Sequence, residues 1–176
     1  MQVVKKGEGE SMNLIYKAAG PQNLKLLTDT RIRVLIAANK LPEGTDMSEV
    51  RRQTENYYKK ALADGSHYGL LVFDRDSTDE YKSPEGRIAA TGGVSFFRVM
   101  PTYSNPSGWK AYIMNMYTAP EYRRQGIAFE TLDILVKEAE SRGINNITLE
   151  ATDMGRPLYE KYGFAPMKDE MILKDN

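Results

Sequence analysis

Apolar and polar positions follow two different periods along the chain, and each change of period marks a predicted element. A short β-prone run at 12–18 is closed by Gly20-Pro21. Two stretches with near-helical spacing of apolar residues follow, at 21–40 and from Asp46 or Ser48 to near Gly65. In the second helix, the residues expected to face inward are Val50, Thr54, Tyr57, Ala61 and Leu62.

The pattern then becomes that of buried strands. Residues 70–73 form a continuous apolar run, and 88–97 continues in β-prone residues after a polar segment at 74–87, which we predict to be an exposed loop. The turn-rich stretch PTYSNPSG at 101–108 separates this pair from a third strand at 111–117.

The clearest amphipathic pattern begins after residue 126, and Gly143 ends it. A strand at 144–151, a short helix at 156–162 and a final strand at 165–173 are predicted to follow. This order predicts an α/β fold of the α+β kind, with a mixed sheet and a right-handed crossover through the helix. One domain at 12–176 and a flexible segment at 1–11 are expected. In the helix that begins after residue 126, the face predicted to point inward consists of Ala128, Leu132, Leu135, Val136 and Ala139.

Composition narrows the range of partners. The 24 basic and 24 acidic side chains cancel, which predicts no nucleic-acid or anionic membrane partner. No apolar run approaches the roughly 18 residues of a membrane span, and MQVVKKGEGES lacks the apolar core of a signal peptide. A cytoplasmic location is the resulting expectation.

Two scarce residue types exclude several reaction classes. The chain has no cysteine, so it has no thiolate nucleophile, disulfide or thiolate metal ligand. His67 is the single histidine, so a histidine-based metal site is excluded and no metal is expected. Because His67 sits in the turn-rich stretch DGSHYG, we expect it in a surface loop.

The segment RRQGIA at 123–128 has the features of an anion site. The first N–H groups of a helix lack intrahelical partners, and the helix dipole adds positive charge there. Gly126 permits close approach of a ligand, while Arg123 and Arg124 add cationic side chains. The G-x-x-x-x-G-K-[ST] and G-x-G-x-x-G motifs are absent. A turn without any ligand remains the alternative from this segment alone.

Two segments resemble the signatures of one family, the GCN5-related N-acetyltransferases (GNAT). RRQGIA matches the R/Q-x-x-G-x-G/A pattern, and GRPLYEKYGF at 155–164 is similar to the second signature, in the expected order. The resemblance implies a central mixed sheet flanked by about four helices. It also implies acetyl-coenzyme A (acetyl-CoA) as co-substrate and a small-molecule or peptide amine as acceptor. In this family the region corresponding to 19–66 shapes the acceptor site.

The resemblance further implies a coenzyme site. The N–H groups at 125–129 would hold the pyrophosphate, with Arg123 or Arg124 near the phosphates. The strand ending at Tyr117 would hold the pantetheine arm, whose amides can pair with a strand edge. The predicted set is Met116, Tyr117, Arg123, Arg124, Gln125, Gly126, Ile127, Ala128 and Phe129.

Candidate catalytic residues follow from the needs of acyl transfer to an amine. Tyr159 resembles the general acid of the family, which would protonate the departing thiolate; packing between the short helix and the sheet is the alternative. Something must also accept a proton from the amine. Glu150 is the first candidate for this base and Asp153 the second, and both could simply be solvated.

The acceptor site is less well defined by the sequence. Simple alternation places Asn115 on the strand face opposite Met114 and Met116. An asparagine cannot act as the base, but it could orient the acceptor or a water. Arg31, with Arg33, could meet an acceptor carboxylate. Aromatic residues that could line the site are Tyr57, Tyr58, Phe96, Phe97, Tyr103 and Trp109.

These features predict an N-acetyltransferase that acts by direct attack in a ternary complex, since a covalent acetyl-cysteine route needs a cysteine. The first alternative is an inactive acyl-CoA sensor or regulatory module on the same fold. The second is an α/β binding protein without a coenzyme. The sequence leaves a homodimer open.

Overall fold

The computed structural model of the chain describes residues 12–77, 85–168 and 170–173. The flexible segment predicted at 1–11 and part of the loop predicted at 74–87 lie outside the described residues. Within them, the predicted order of elements is confirmed up to the short helix near the C-terminus. The elements are β1 (Leu14–Ala19), α1 (Leu24–Asn39), α2 (Ser48–Ala63), β2 (His67–Asp74), β3 (Arg87–Arg98), β4 (Trp109–Thr118), α3 (Ile127–Ser141), β5 (Ile147–Leu149) and α4 (Arg156–Tyr162).

The described strands form one mixed sheet in the order β1-β2-β3-β4-β5. The first four strands are antiparallel neighbours, whereas β4 and β5 are parallel and are connected through α3. A parallel pair requires a crossover connection, which the amphipathic helix provides. The predicted mixed α/β sheet is therefore confirmed.

Each face of the sheet is covered by helices. Leu70, Val94 and Ile113 pack in one cluster with α3 and α4, on what we call the α3 face. Leu71 and Phe73, which alternate with Leu70 along β2, pack with residues of α1 and α2 on the opposite side, the α1 face. The two faces thus separate the crossover helix from the region expected to shape an acceptor site.

The inward face of α2 differs from the prediction. Tyr58 is 3% exposed, whereas Tyr57 and Val50 are 42% and 40% exposed. Tyr58 and Ala61 are three residues apart and share one face of the helix, while Tyr57 lies at the edge of that face. The prediction of Tyr57 and Val50 as inward residues is wrong, and Tyr57 is left at the border of the α1 face.

The C-terminal region departs further from the prediction. The strand expected at 144–151 is limited to Ile147–Leu149. The described residues of 165–173 form no strand, and Met171, Ile172 and Leu173 are almost fully exposed. Pro166 lacks an N–H group for a strand ladder, and an apolar pattern makes a strand only where a neighbouring strand pairs with it. The final strand was wrongly predicted for these residues.

Candidate functional site

β4 and β5 diverge along their length. They pair only from Ala111–Ile147 to Ile113–Leu149, yet β4 continues to Thr118. Residues 114–118 therefore have no strand on the β5 side within the described part of the chain. A cleft of about 600 Å³ opens there. One wall consists of Met116, Tyr117, Thr118, Arg123, Arg124 and Ala128, and the other of Thr152, Met154, Gly155, Pro157, Leu158 and Tyr159.

A β-bulge lies at the start of the divergence. Thr91 pairs with Tyr117 but Gly93 pairs with Met114, so β4 has one extra residue opposite Gly92. Asn115 carries a positive φ of 57° at this bulge.

The bulge corrects the predicted faces of β4. The Met114 sulfur accepts a hydrogen bond from Ser95 Oγ, with an O–S distance of 3.7 Å, on the α1 face. A Cβ built at Gly92 would contact both the Met116 sulfur and side chains of α3, so Met116 lies on the α3 face. Met114 and Met116 therefore face opposite sides, and simple alternation was wrong here. Asn115 is 7% exposed, and its Oδ1 has no hydrogen-bond partner among the described residues.

The turn between β4 and α3 presents backbone donors to the cleft. The first bond of α3 runs from Glu130 N to Gly126 O at 3.1 Å, so the N–H groups of residues 127–129 have no intrahelical partner. Gly126 has a φ of 81°, a left-handed conformation that glycine adopts without strain. Ala128 places only a methyl group at the wall.

The two arginines of the turn have different surroundings. Arg123 donates from Nε to the Thr118 carbonyl at 3.1 Å and so braces the end of β4. Arg124 is exposed and has no hydrogen-bond or ion-pair partner among the described residues. Arg124 therefore has the freer guanidinium for an anion in the cleft.

The remaining predicted coenzyme residues have side chains directed elsewhere. Gln125 donates from Nε2 to the Glu121 carbonyl at 3.2 Å. Ile127 is buried in the core, and the Phe129 ring lies 5.3 Å from the Tyr162 ring, joining α3 to α4. Their contribution to an anion site is limited to backbone N–H groups.

Tyr159 stands on the wall opposite the turn. It is 8% exposed and packs edge-to-face against Phe164, with ring centroids 6.2 Å apart. A Cβ at Gly155 would come within 3.1 Å of the Tyr159 ring, so glycine in the second signature makes room for that ring. Burial raises the pKa of Tyr159, which keeps the phenol protonated at neutral pH. Tyr159 also borders a second cavity of about 330 Å³ along β5.

Glu150 and Asp153 are exposed in the loop between β5 and α4. Burial raises the pKa of Tyr112, and the neighbouring carboxylate of Glu150 adds to the rise. Glu150 is therefore close to the Tyr112 hydroxyl. Tyr112 pairs with Ser95 across the sheet, on the α1 face, whereas Tyr159 packs with the cluster of the α3 face. The two candidate catalytic residues thus approach the diverging strands from opposite sides.

The surroundings of His67 differ from the prediction. His67 is the first residue of β2 and is 4% exposed, so the expectation of a surface loop was wrong. Its Nδ1 lies 3.1 Å from both the Tyr57 hydroxyl and Ser95 Oγ, while Tyr58 packs edge-to-face on the ring. Burial lowers the pKa of His67 to about 4, and the charge of Arg31 adds to the shift.

This buried histidine makes stability depend on pH. Its folded pKa of about 4 lies below the ordinary value of 6.5, so its contribution is complete above 6.5 and is lost as the pH falls. We expect His67 to remove about 3 kcal/mol of unfolding free energy between about pH 7 and about pH 4. Urea unfolding of wild type and His67→Gln at both pH values measures this. A variant that loses stability as steeply as wild type would contradict the assignment.

Comparison with known proteins identifies the family of the chain. Residues 40–164 match the model of the acetyltransferase (GNAT) family. The chain belongs to this family. It is 33% identical to a protein from Clostridium acetobutylicum described as a predicted acetyltransferase and crystallised with acetyl-CoA. That match covers 92% of this chain and 96% of the other, with a TM-score of 0.78.

Two further proteins match, one in its fold and the other over part of its sequence. A GCN5-related N-acetyltransferase from Ralstonia eutropha shares the fold, with 24% identity over 92% of this chain and 98% of the other and a TM-score of 0.75. The uncharacterized N-acetyltransferase YafP of Escherichia coli is 31% identical over 61 residues, 35% of this chain. The chain spans 37% of the length of this curated relative.

Several GNAT cleft residues were missed by sequence reasoning. On this wall, Pro157 and Leu158 lie within the second signature and Thr152 and Met154 directly before it, so that signature was the available signal. The contacts among Tyr57, His67 and Ser95 join residues that are far apart along the chain, and no spacing indicates them.

Two further findings concern the described residues alone. They contain no group of three or more histidine, cysteine or acidic side chains that could hold a metal ion. Among them, none of the helices combines the length and the apolar character needed to cross a membrane.

Proposed function

We propose that this GNAT protein transfers the acetyl group of acetyl-CoA to a primary amine by direct attack in a ternary complex. The observation that carries the proposal is the cleft between β4 and β5, because it joins an anion-binding helix terminus to a buried tyrosine. A phosphate group and a reacting thioester need sites of these two kinds at opposite ends of one extended ligand.

The residues of the cleft suit acetyl-CoA. The backbone N–H groups of residues 127–129 would bind the pyrophosphate, with Arg124 beside it. The free edge of β4 at 116–118 would pair with the amides of the pantetheine arm, as an added strand does. Bound there, acetyl-CoA supplies an acetyl group activated as a thioester.

Tyr159 and Glu150 would move the protons. Tyr159 would donate its hydroxyl proton to the departing sulfur, and the raised pKa keeps the phenol in the form that carries this proton. Glu150 would accept a proton from the amine, directly or through a water, on the α1 face. Since the two residues lie on different sides of the diverging strands, neither obstructs the other.

Asn115 is an acceptor-site candidate at the same point. A buried carbonyl oxygen without a partner costs about 1–3 kcal/mol. An amine or a water that donates to Asn115 Oδ1 would recover this cost where β4 leaves β5. The side chain would then orient the acceptor without taking its proton.

Direct transfer is the route that this chain permits, because it has no cysteine to carry the acetyl group. The alternative of an inactive acyl-CoA module finds no support in the family match. The retained tyrosine on the cleft wall also favours catalysis.

The test is amine-dependent release of coenzyme A thiol from acetyl-CoA, followed with a thiol-reactive dye. The protein contributes no background because it contains no cysteine. We expect at least one primary amine of a broad panel to raise the rate of thiol release about tenfold or more above the rate of acetyl-CoA hydrolysis without amine. Acetyl-CoA binding without thiol release across the panel would favour the inactive module instead.

A further inference from the structure

Arg31 is a half-buried cation without a counter-ion. It lies on α1, which packs on the α1 face and contacts β4. Within the described part of the chain, the Arg31 guanidinium forms no hydrogen bond and no ion pair. Asp29, two residues earlier on the helix, pairs with Lys25 and Arg51. A cation kept from water in this way is stabilised by an anion that approaches it.

The neighbours of Arg31 are neutral polar groups from three elements. Its charge acts on Tyr57 and Tyr58 of α2, on His67 of β2 and on Tyr112 of β4, lowering the pKa of each relative to burial alone. Among the described residues, Arg31 is the only cation with such an effect on these four groups. Arg31 lies one helical turn after Leu27, which packs with Tyr58, so Arg31 is on the side of α1 that meets the α1 face of the sheet.

Hydroxyl groups converge at this place. The Tyr57 hydroxyl and Ser95 Oγ are 2.6 Å apart, and both lie 3.1 Å from His67 Nδ1. Tyr57 is 42% exposed, so a ligand can reach its side chain from solvent. Because burial keeps His67 uncharged, the cluster offers hydrogen bonds without adding charge.

The opposite charge is found on the other side of Tyr112. Burial raises the pKa of Tyr112, and the carboxylates of Glu150 and Glu170 raise it further, while Arg31 opposes them. Glu170 borders, together with Tyr159, the cavity along β5. Glu150 follows Leu149, the last β5 residue that pairs with β4, so alternation places its negative charge on the α1 face, where the positive charge of Arg31 also lies.

We propose that the acceptor is a small zwitterion of the amino-acid kind, whose carboxylate binds Arg31 and whose amine lies at Glu150. This inference rests on the function proposed above and specifies its substrate class. The planar fork of a guanidinium matches a carboxylate with two parallel hydrogen bonds. The Tyr57 hydroxyl can donate to a remaining lone pair of the carboxylate. Glu150 and Glu170 attract the ammonium form of the amine before it loses its proton.

A carboxylate fits this site better than a phosphate. A phosphate group carries between one and two negative charges near neutral pH, as phosphorylated side chains do. Arg31 is the only cation acting on the cluster among the described residues, and two acidic side chains stand nearby. The single cation matches the one negative charge of a carboxylate, and the two acidic side chains attract the ammonium group of a zwitterion.

The experiment compares each of the common amino acids with its α-carboxamide as acceptor, using thiol release from acetyl-CoA. The carboxamide keeps the amine and side chain but removes the negative charge. For the best amino acid, we expect wild type to favour the free acid in kcat/KM by roughly 10- to 100-fold. Arg31→Gln should reduce this preference to about twofold, mainly by lowering kcat/KM for the free acid.

Arg33→Gln is the matched control, because Arg33 is exposed and lies two residues further along α1. It should keep the preference for the free acid, and Arg31→Lys should restore part of it. Equal use of acid and carboxamide by wild type, or an unchanged preference in Arg31→Gln, would overturn the inference. So would a protein that acetylates other amines but no amino acid. Failure to acetylate any amine would instead reject the proposed function itself.

Discussion

Replacing Tyr159 with phenylalanine is expected to lower kcat by about 10²- to 10⁴-fold, with little change in acetyl-CoA affinity. The substitution removes only the hydroxyl, and the ring keeps its contacts with Phe164 and Gly155. The loss would reflect the missing proton donor rather than a collapsed site. Steady-state thiol release gives kcat, and calorimetric titration gives the affinity for acetyl-CoA.

Tyr162→Phe provides the control for this prediction. Tyr162 is on the same short helix, and its hydroxyl donates to Asp133 at 3.0 Å, away from the cleft. Losing that bond costs about 1 kcal/mol of stability. We expect kcat to stay within about threefold of wild type. If Tyr159→Phe also stayed in that range, the assignment of the general acid would be wrong.

Replacing Gly126 with glutamate is expected to weaken acetyl-CoA binding by at least about 100-fold. The new carboxylate would stand beside the free N–H groups of α3 and compete with the pyrophosphate by repulsion and by occupying the donors. The left-handed φ of 81° adds a cost to any residue with a Cβ, on the order of 1–2 kcal/mol. Calorimetric titration of the folded variant separates weaker binding from lower stability.

Gly143→Glu is the matched control at the other end of the same helix. Gly143 has a φ of 71°, and nothing lies within 4 Å of a Cβ built there. Both variants therefore carry similar backbone strain and the same added charge. Gly143→Glu should bind acetyl-CoA as wild type does. Equal affinities in the two glutamate variants would remove the Gly126 turn from the coenzyme site.

The two helices next to the signatures, α3 and α4, were predicted well from sequence. The bounds of α4 agree with the prediction, and α3 begins directly after Gly126 as expected. Local chemistry determines these features: a glycine at each helix boundary and an amphipathic stripe on α3 specify them without reference to the rest of the fold.

Features that depend on contacts between distant segments were not predicted. Strand 144–151 has the composition of a longer strand, but pairing with β4 ends at Leu149, and this early end opens the cleft. The bulge at Asn115 adds one residue to β4, so alternation wrongly placed Met114 and Met116 on the same face. His67 is buried because Tyr57, Tyr58 and Ser95 meet over it, which its turn-rich flanks do not reveal.

The most direct test of the central claim is the melting temperature with and without acetyl-CoA. At about 100 times the dissociation constant, a ligand that binds only the folded state adds about 2.7 kcal/mol, which predicts a rise of about 5–10 °C for a chain of this size. Free pantetheine at the same concentration should give a much smaller rise, because it lacks the pyrophosphate. An unchanged melting temperature at millimolar acetyl-CoA would contradict the account of the cleft as a coenzyme site.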